Sequence, residues 1–494
     1  MITITNVGLT TSEFLSISEG CERVELSAEC GAAVQAAAVG LETLIDAGAT
    51  IYGVTTGYGI SSASRLLRSE LEAFQLDTVR SHACGTGDPL EFPAARGVWL
   101  AKLLSVCTGL TGASLALAQQ LVALLNTGLA PVVPRTGSLG ASGDLVPSAH
   151  AGLCLLLLGQ FMDKSGRRYQ GSQIQKEFGI DPLRLGPRDG LSIVNGTATT
   201  LSLALHASFL AARLLSYSDS LVAAGIEAVS GHPEAFSEEI SVANGLAWVA
   251  RTSEAVRAGL SGWSGSKQTR TGVHDPYAWR CAPQVHGTAH WARAGLEEVV
   301  GALLKGCSDN PLITDQTEPQ VISGGNFHAV ALGVASDALL IALVQISALV
   351  RQRCYQMLAG KVGFEVGLVA PGEFGNGLSQ LLAVATALHL EIASTQPASM
   401  HPYQLDDVED HVSNATLATV RLTEALHSFS KLLAIESLLI GRVFELSGGT
   451  VDSSAGVQLL RRLQSAGLSA EGCYGLSFDI DKLSASIRAV EGWS

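Results

Sequence analysis

The sequence predicts a mainly α-helical fold. Hydrophobic residues make up 47% of the 494 positions, but aromatic residues make up only 5%, so small and aliphatic residues supply the apolar mass. Ala and Leu favour helices, whereas strands favour aromatic and β-branched residues. Long apolar patterns with short turns between them fill the second half of the chain. We therefore expect an elongated antiparallel helical bundle with a smaller mixed domain at its N-terminus.

A domain boundary is expected near residue 190. Before this point, glycine and proline repeatedly interrupt the helical patterns, as in the glycine-punctuated segment 50–60. The segment 162–190 is polar and basic, which indicates a surface hairpin and a loop. We therefore predict an N-terminal domain over 1–190 and a long central helical bundle over 191–494.

Helical periodicity recurs along the chain. Asn195 is of a residue type that caps helix N-termini, and it precedes the longest of the early patterns. We predict helices in the following order: within 10–46, from about Glu70, over 93–125, over 148–161, and at roughly 197–228, 286–304, 327–360, 375–395 and 412–447.

Charge and hydropathy exclude several classes of partner. The net charge of −14 argues against nucleic acid, because phosphate binding requires basic patches. The mean hydropathy is +0.30, but Asp337 and Gln345 interrupt the most apolar stretch, so we predict buried helices and no membrane association. The first residues do not form a basic region followed by an apolar run, and the nine cysteines form no Cys-x-x-Cys pair. We therefore expect a cytoplasmic protein with reduced thiols.

The sharpest motif is Gly137-Ser-Leu-Gly-Ala-Ser-Gly-Asp144, in which three glycines recur at intervals of three. It lacks the Gly-Lys-Ser/Thr ending of a phosphate-binding loop, and it does not contain the Gly-x-Gly-x-x-Gly pattern. Taken alone, the motif is typical of a glycine-rich turn that leads into a helix.

The wider run from Leu125 to His150 resembles the signature of the aromatic amino acid ammonia-lyase family, which includes histidine, phenylalanine and tyrosine lyases and related aminomutases. In that family an Ala-Ser-Gly segment cyclises to the prosthetic group 4-methylidene-imidazole-5-one (MIO). The resemblance implies that Ala141, Ser142 and Gly143 form MIO here. Small residues allow the close approach that cyclisation requires, and loss of the serine hydroxyl leaves an electrophilic methylene.

The same resemblance implies several catalytic residues. Tyr52 matches the family's catalytic tyrosine, which would remove the β-proton of the substrate. Because an unperturbed phenol titrates near 10, its anion needs stabilisation. Asn195 matches an asparagine beside MIO. The segment that contains Tyr277 and Arg280 also matches, so Arg280 would hold the substrate carboxylate and Tyr277 would support MIO or the substrate. Phe327 matches a residue near the cofactor.

Three residues bear on the choice of substrate. Ser81 and His82, together with Glu409, resemble the substrate-binding residues of histidine lyases, and both an imidazole and a carboxylate can bond an imidazole ring. A histidine side chain can equally bond a phenol, and some tyrosine aminomutases also carry the Ser-His pair. Asn326 matches a position near the cofactor.

Other positions depart from the histidine-lyase pattern. His274 replaces the usual Gln, the segment Val54-Thr55-Thr56 resembles the tyrosine and phenylalanine branch, and Phe327-His-Ala lacks the Glu-Pro that often follows. We expect an ammonia-lyase that converts L-histidine to trans-urocanate. The alternative is a tyrosine or phenylalanine lyase, or a 2,3-aminomutase, with the same MIO chemistry.

Two further expectations concern metal and assembly. His286 and His290 are spaced like zinc ligands, but no third ligand can be identified, so we expect helix packing and no metal. Family members are homotetramers with shared active sites, which implies the same assembly here. The intact Ser142, Tyr52 and Arg280 argue against a non-catalytic helical scaffold.

Overall fold

A computed structural model describes residues 1–59, 62–265, 273–314, 318–405, 407–448, 450–468 and 477–489. The fold is mainly helical, as predicted. The helices are α1 (Thr11–Ser18), α2 (Ala28–Asp46), α3 (Leu71–His82), α4 (Phe92–Cys107), α5 (Leu115–Leu125), α6 (Leu145–Leu155), α7 (Gly171–Phe178), α8 (Asp189–Val194), α9 (Ala198–Ala228), α10 (Glu238–Asn244), α11 (Ala247–Gly259), α12 (Tyr277–Arg280), α13 (Ala282–Leu303), α14 (Val330–Leu358), α15 (Leu381–Ser394), α16 (Ala415–Ser447), α17 (Ser454–Ser465) and α18 (Ser477–Arg488). Short 3-10 helices cover Arg68–Glu70, Pro233–Phe236, Val366–Leu368 and Ala398–Met400.

The strands are short and form small sheets. They are β1 (Ile2–Ile4), β2 (Val24–Leu26), β3 (Thr86–Pro89), β4 (Ala130–Pro131), β5 (Pro134–Thr136), β6 (Gln160–Met162), β7 (Arg168–Gln170), β8 (Leu312–Thr314) and β9 (Gln320–Ile322). β1 pairs with β2 in parallel, while the pairs β3–β5, β4–β6, β6–β7 and β8–β9 are antiparallel. The β6–β7 hairpin confirms the predicted hairpin, but β6 begins where the helix predicted over 148–161 should still run. That helix ends at Leu155 instead.

The chain forms two compact units, each made of several segments. Unit 1 contains Met1–His206, Leu296–Asp337 and Ala398–Val420, and unit 2 contains Ala207–Gly295, Ala338–Pro397 and Arg421–Ser494. The long helices α9, α13, α14 and α16 have residues in both units. This division by contacts is interleaved along the chain and therefore differs from a single boundary at residue 190.

Helix α4 forms the centre of unit 1. Nearly all of its residues are buried, and Pro93 occupies its first turn, where the missing N–H costs no hydrogen bond. A Cβ at Gly97 would lie 2.1 Å from the Ser202 hydroxyl, so glycine is needed for α9 to approach α4 this closely. Trp99 donates its indole N–H to the Ala151 carbonyl at 3.0 Å. These contacts fix α6 and the start of α9, which carry the site described below.

A buried ion pair organises unit 2. Arg353 Nε donates to Glu436 Oε1 at 2.5 Å, and both side chains have no exposed surface. Arg353 also donates to the Ala278 carbonyl at 3.2 Å, while Trp279 Nε1 donates to Gln356 at 2.7 Å. The short helix α12 is thereby held in place from two sides.

The two histidines with zinc-like spacing bind a carboxylate. His286 Nδ1 lies 2.7 Å from one oxygen of Asp219, and His290 Nε2 lies 2.8 Å from the other. Burial raises the pKa of Asp219, but the two imidazoles outweigh it and leave that pKa below its ordinary value. These bonds explain why both histidines share one face of α13.

Three of the described helices are long and apolar enough to cross a membrane by length and composition: α2, α9 and α14. In α9, 72% of the most apolar window is buried inside the protein. Polar side chains such as Thr200 and Asp219 are also buried along this helix. Packing within the protein therefore accounts for its hydrophobicity, and the absence of membrane association stays a prediction.

Candidate active site

Unit 1 contains a cavity of about 680 Å³. Leu145, Leu191 and Val194 contribute apolar surface to it. A mostly apolar pocket with a few convergent polar groups is the usual form of a small-molecule site. The lining residues that have predicted roles are Tyr52, His82, Ala141, Ser142, Asn195, Phe327 and Glu409.

The predicted MIO-forming residues lie in the loop between β5 and α6. Gly143 has a φ of +81°, and a Cβ there would lie 2.2 Å from the Gly196 carbonyl oxygen. The next residue, Asp144, donates its N–H to that same oxygen at 2.8 Å. Only glycine fits this position, for reasons of both space and backbone conformation. The structure therefore explains the glycine at this position, while the ring closure between Gly143 and Ala141 stays a prediction.

Asp144 anchors this loop beneath the cavity. Its buried carboxylate accepts a hydrogen bond from the Thr200 backbone N–H at 2.7 Å, in the first turn of α9. The hydroxyls of Thr200, Thr416 and Ser138 lie 2.7, 2.8 and 3.1 Å from its Oδ1. A carboxylate at a helix N-terminus is also stabilised by the helix dipole. Asp144 therefore joins the loop, α9 and α16 within unit 1.

We expect Asp144→Ala to lower the free energy of unfolding by about 3 kcal/mol, because the buried donors lose their acceptor. Urea unfolding followed by circular dichroism measures the change. Asp46→Ala is the control, since that exposed carboxylate only pairs with Arg68 on the surface. Its loss should cost at most about 1 kcal/mol. Equal stability of the two variants would contradict the anchoring role.

Ser142 and Glu409 meet across the cavity. The Ser142 hydroxyl donates to Glu409 Oε1 at 2.6 Å, although the residues are 267 positions apart in the chain. A hydroxyl bond to a carboxylate is charge-assisted and comparatively strong. The two sharpest features of the sequence, the Ala-Ser-Gly motif and the Glu409 segment, are thus parts of one site.

The tyrosine loop is fastened to α8 by a buried glutamine. Gln75 donates to the Gly53 carbonyl at 3.0 Å and accepts from the Leu191 N–H at 2.8 Å. Gly53 has a φ of +65°, which favours glycine at this turn. Tyr52 is partly buried, and its hydroxyl accepts a hydrogen bond from the Gly59 N–H at 3.1 Å.

The second tyrosine of the loop has a different environment. The Tyr58 ring packs against Phe74 with 4.9 Å between centroids, and its hydroxyl bonds to the Thr78 hydroxyl. Burial raises the pKa of Tyr58 to about 12, although the bond to Thr78 opposes the shift. Tyr58 is therefore a poor candidate for a base, which agrees with the choice of Tyr52.

His82 ends α3 and presents one ring nitrogen for a ligand. Its Nδ1 lies 2.8 Å from the Thr78 carbonyl oxygen, which can only accept. The neutral ring therefore carries its hydrogen on Nδ1 and leaves Nε2 as an acceptor. Ser81 is exposed, its hydroxyl donates to the same carbonyl at 3.3 Å, and it is not among the cavity-lining residues. The predicted pair thus has one member in the site.

Asn195 lies at the cavity, but the prediction that it caps α9 is wrong. It follows the last residue of α8, and Thr197 is the residue before α9. Its side-chain amide donates to Asp309 at 2.9 Å and to the Asn310 carbonyl at 3.0 Å. These long-range bonds replace the local cap, because the chain turns between the two helices at Gly196.

A buried charge network below Asn195 was not predicted. The Lys102 ammonium donates to the Asn195 carbonyl, and Arg188 donates to Asp309 at 3.1 Å. Burial lowers the pKa of Lys102, and the charge of Asp309 partly restores it. Lys102 is the single charged residue in the apolar run 97–107, a signal of burial that could have drawn attention to it.

The remaining predicted residues lie outside the cavity lining. Asn326 is exposed, and its amide donates to the Cys307 carbonyl at 3.2 Å. His274, Tyr277 and Arg280 belong to unit 2. The Arg280 guanidinium lies 4.8 Å from the Tyr277 ring centroid, and its Nε is buried with no hydrogen-bond partner among the described residues.

Two histidines line the cavity without having been assigned a role by the motifs. His328 follows Phe327, and His411 lies two residues after Glu409. His328 Nε2 is 3.0 Å from His411 Nδ1. Each histidine belongs to a segment that the sequence analysis identified. Their contact could not be predicted, because the two residues are 83 positions apart in the chain.

A family model for aromatic amino acid lyases matches residues 9–465. The chain belongs to the aromatic amino acid lyase family. The histidine ammonia-lyase of Geobacillus thermodenitrificans is 33% identical over 91% of this chain and 89% of that protein. The histidine ammonia-lyase of Bacillus subtilis is 30% identical over 98% of this chain and 96% of that protein. Family membership therefore extends over nearly the whole chain and confirms the resemblance seen in the motifs.

Solved structures confirm the fold of this family member. Tyrosine aminomutase from Streptomyces globisporus has a TM-score of 0.91 at 25% identity, over 99% of this chain and 96% of that one. Histidine ammonia-lyase from Trypanosoma cruzi has a TM-score of 0.90 at 24% identity, over 98% and 93% of the two chains. Lyases and aminomutases thus share this architecture.

Proposed function

We propose that this aromatic amino acid lyase is an MIO-dependent enzyme that eliminates ammonia from L-histidine and forms trans-urocanate. The observation that carries the proposal is the meeting of Ser142, Glu409 and His82 in one cavity. The relatives named histidine ammonia-lyase, at 30–33% identity, support the same substrate.

The residues present fit the MIO group. Gly143 is held where a Cβ would collide with Gly196, and Ala141 is small and buried. When formed, MIO supplies an electrophile that none of the standard side chains provides. Formation removes the Ser142 hydroxyl as water, so Glu409 loses the donor that it has at 2.6 Å. Glu409 would still line the cavity, where its carboxylate can accept a hydrogen bond from a substrate.

The side chain of a histidine substrate matches two groups of the cavity. An imidazolium ring offers two N–H donors on opposite sides. Glu409 can accept one of them, and the free Nε2 of His82 can accept the other. A phenol offers one O–H and would satisfy only one of these acceptors. Binding histidine therefore leaves fewer buried polar groups unpaired.

The other roles follow from the chemistry that the family carries out. Tyr52 takes the β-proton, and the Gly59 N–H holds its hydroxyl oxygen in place. Arg280 binds the substrate carboxylate through its guanidinium, whose Nε has no partner among the described residues. Asn195, whose side-chain amide is held by Asp309, serves as a hydrogen-bond partner of the MIO group.

We expect Glu409→Gln to lower kcat/KM for histidine by about 100-fold, because a neutral amide replaces a charge-assisted acceptor. Urocanate formation, followed by its ultraviolet absorbance, measures the change. Asp407→Asn is the matched control, since Asp407 is an exposed acid of the same segment outside the cavity lining. A Glu409→Gln enzyme with the wild-type kcat/KM for histidine would rule out this role.

A tyrosine or phenylalanine lyase, or a 2,3-aminomutase, is the second candidate. The close structural similarity to tyrosine aminomutase favours it, as do the departures at His274 and after Phe327. Purified enzyme should be offered histidine, tyrosine and phenylalanine separately. Formation of coumarate, cinnamate or a β-amino acid without any urocanate would replace the first proposal with this one.

Assembly and location complete the proposal. We propose a homotetramer with shared active sites, as the resemblance to the family implies. Light scattering of the purified protein tests the assembly. We also propose a cytoplasmic location. The cysteines in the described parts of the chain are free thiols, as is usual in a reducing compartment.

A further inference from the structure

The paired imidazoles of His328 and His411 have no part in the roles assigned so far. Both side chains line the cavity that holds Ser142 and Glu409. Their 3.0 Å contact joins Nε2 of one ring to Nδ1 of the other. Such a contact requires one hydrogen between the two nitrogens, so one ring donates and the other accepts.

The outward nitrogens of this pair are complementary. When His328 donates, its own Nδ1 is an acceptor and His411 Nε2 carries a hydrogen. When His411 donates, these properties are exchanged. The pair can therefore take up a proton at one outward nitrogen, move the shared hydrogen and release a proton from the other. A second added proton is disfavoured, because two adjacent imidazolium rings repel each other.

The proposed reaction needs a base of this kind. The substrate arrives as an ammonium ion, which has no lone pair to bond to an electrophile until it loses one proton. The overall change converts R–CH2–CH(NH3+)–COO− into R–CH=CH–COO− and NH4+, so no proton is gained or lost. Tyr52 handles the β-proton. A second group must hold the ammonium proton and return it to the departing ammonia.

We propose that the His328–His411 pair is this second group: it accepts the ammonium proton of the substrate and gives it back to the leaving ammonia. This inference rests on the proposed ammonia-lyase function. The nitrogen and both protons then leave together as NH4+. The other titratable groups that line the cavity are Tyr52, Tyr58, His82, Glu409 and Asp410.

Substitutions that keep the hydrogen bond but cannot carry the proton test the proposal. Glutamine can bond to the neighbouring ring and is not a base near neutral pH. We expect His328→Gln and His411→Gln each to lower kcat/KM by about 100-fold, within the usual range for acid–base groups. The near-UV absorbance of the prosthetic group should be unchanged, and the acidic limb of the kcat/KM pH profile should move. His401→Gln is the control, an exposed histidine of the same region outside the cavity lining.

Chemical rescue separates a proton carrier from a structural residue. Added imidazole should increase the activity of the His411→Ala variant at least tenfold over its activity without imidazole. A wild-type rate and pH profile in either glutamine variant would overturn the proposal. So would a loss of activity that is accompanied by loss of the near-UV absorbance or is not rescued. Wild-type protein that is inactive on all three amino acids would instead show that the proposed function is wrong.

A measurement without turnover completes the test. In Ser142→Ala protein labelled with ¹⁵N-histidine, the nitrogen resonances of the two rings should shift in parallel when the pH is lowered, as expected of a pair that shares one added proton. Independent titrations of the two rings would overturn the proposal, whether or not the enzyme proves to be a lyase.

Discussion

Ser142→Ala is expected to reduce the rate of ammonia release by at least about 1,000-fold, equivalent to about 4 kcal/mol in the activation barrier. The alanine has no hydroxyl to lose as water, so the electrophilic methylene cannot form. Borohydride-sensitive near-UV absorbance should disappear with the activity. The tryptic peptide that spans Ala141 to Gly143 should keep its unmodified mass, whereas the wild-type peptide should lack two waters, one lost on ring closure and one lost with the Ser142 hydroxyl.

The matched control for this change is Ser148→Ala, one turn into α6. The Ser148 hydroxyl is buried without a hydrogen-bond partner among the described residues, so removing it costs no bond. This variant should keep both the absorbance and the activity. A Ser142→Ala enzyme that works at the wild-type rate would refute the role of MIO, and an unmodified wild-type peptide would refute its formation.

Tyr52→Phe has the second largest expected effect, a loss of about 1,000-fold in kcat. Phenylalanine keeps the ring but removes the oxygen that accepts from the Gly59 N–H. Histidine should still bind, since its carboxylate and ring are held by other groups. Kinetics with β-deuterated substrate, together with binding to the inactive variant by calorimetry, separate the loss of the base from a loss of affinity.

Tyr58→Phe provides the comparison within the same loop. Its hydroxyl bonds to Thr78, and burial raises its pKa to about 12, so it is not suited to take a proton near neutral pH. We expect its kcat to stay within about tenfold of wild type. If Tyr58→Phe were inactive and Tyr52→Phe active, the assignment of the base would have to be reversed.

Local sequence patterns predicted much of the fold. The patterns at 197–228 and 412–447 correspond to α9 and α16, which begin and end within three residues of the predicted limits. Helical periodicity depends on residues three or four positions apart, so it can be read from the sequence without knowing what the helix packs against. The cap assigned to Asn195 failed for the opposite reason. Its amide found partners in Asp309 and Asn310, more than a hundred positions away.

The motifs predicted most of the candidate site but not its supporting residues. Tyr52, Ser142 and Glu409 line the same cavity, as their resemblance to family motifs implied. The sequence did not predict the bond from Lys102 to the Asn195 carbonyl or the contact between His328 and His411. Both contacts join residues that are far apart in the chain, so they can be recognised only in the folded structure.

By itself, the sequence determined the helical class of the fold and the membership of the aromatic amino acid lyase family, which the Ala141–Gly143 segment indicated. Both depend on residue type and short spacing: glycine at 143 is required by a backbone conformation that other residues rarely adopt. Only the tertiary structure decided that Ser142 meets Glu409 across 267 positions and that His82, with its Nδ1 bonded to the Thr78 carbonyl, lines the same cavity. Such contacts depend on how buried helices pack, and packing is set by many distant residues at once.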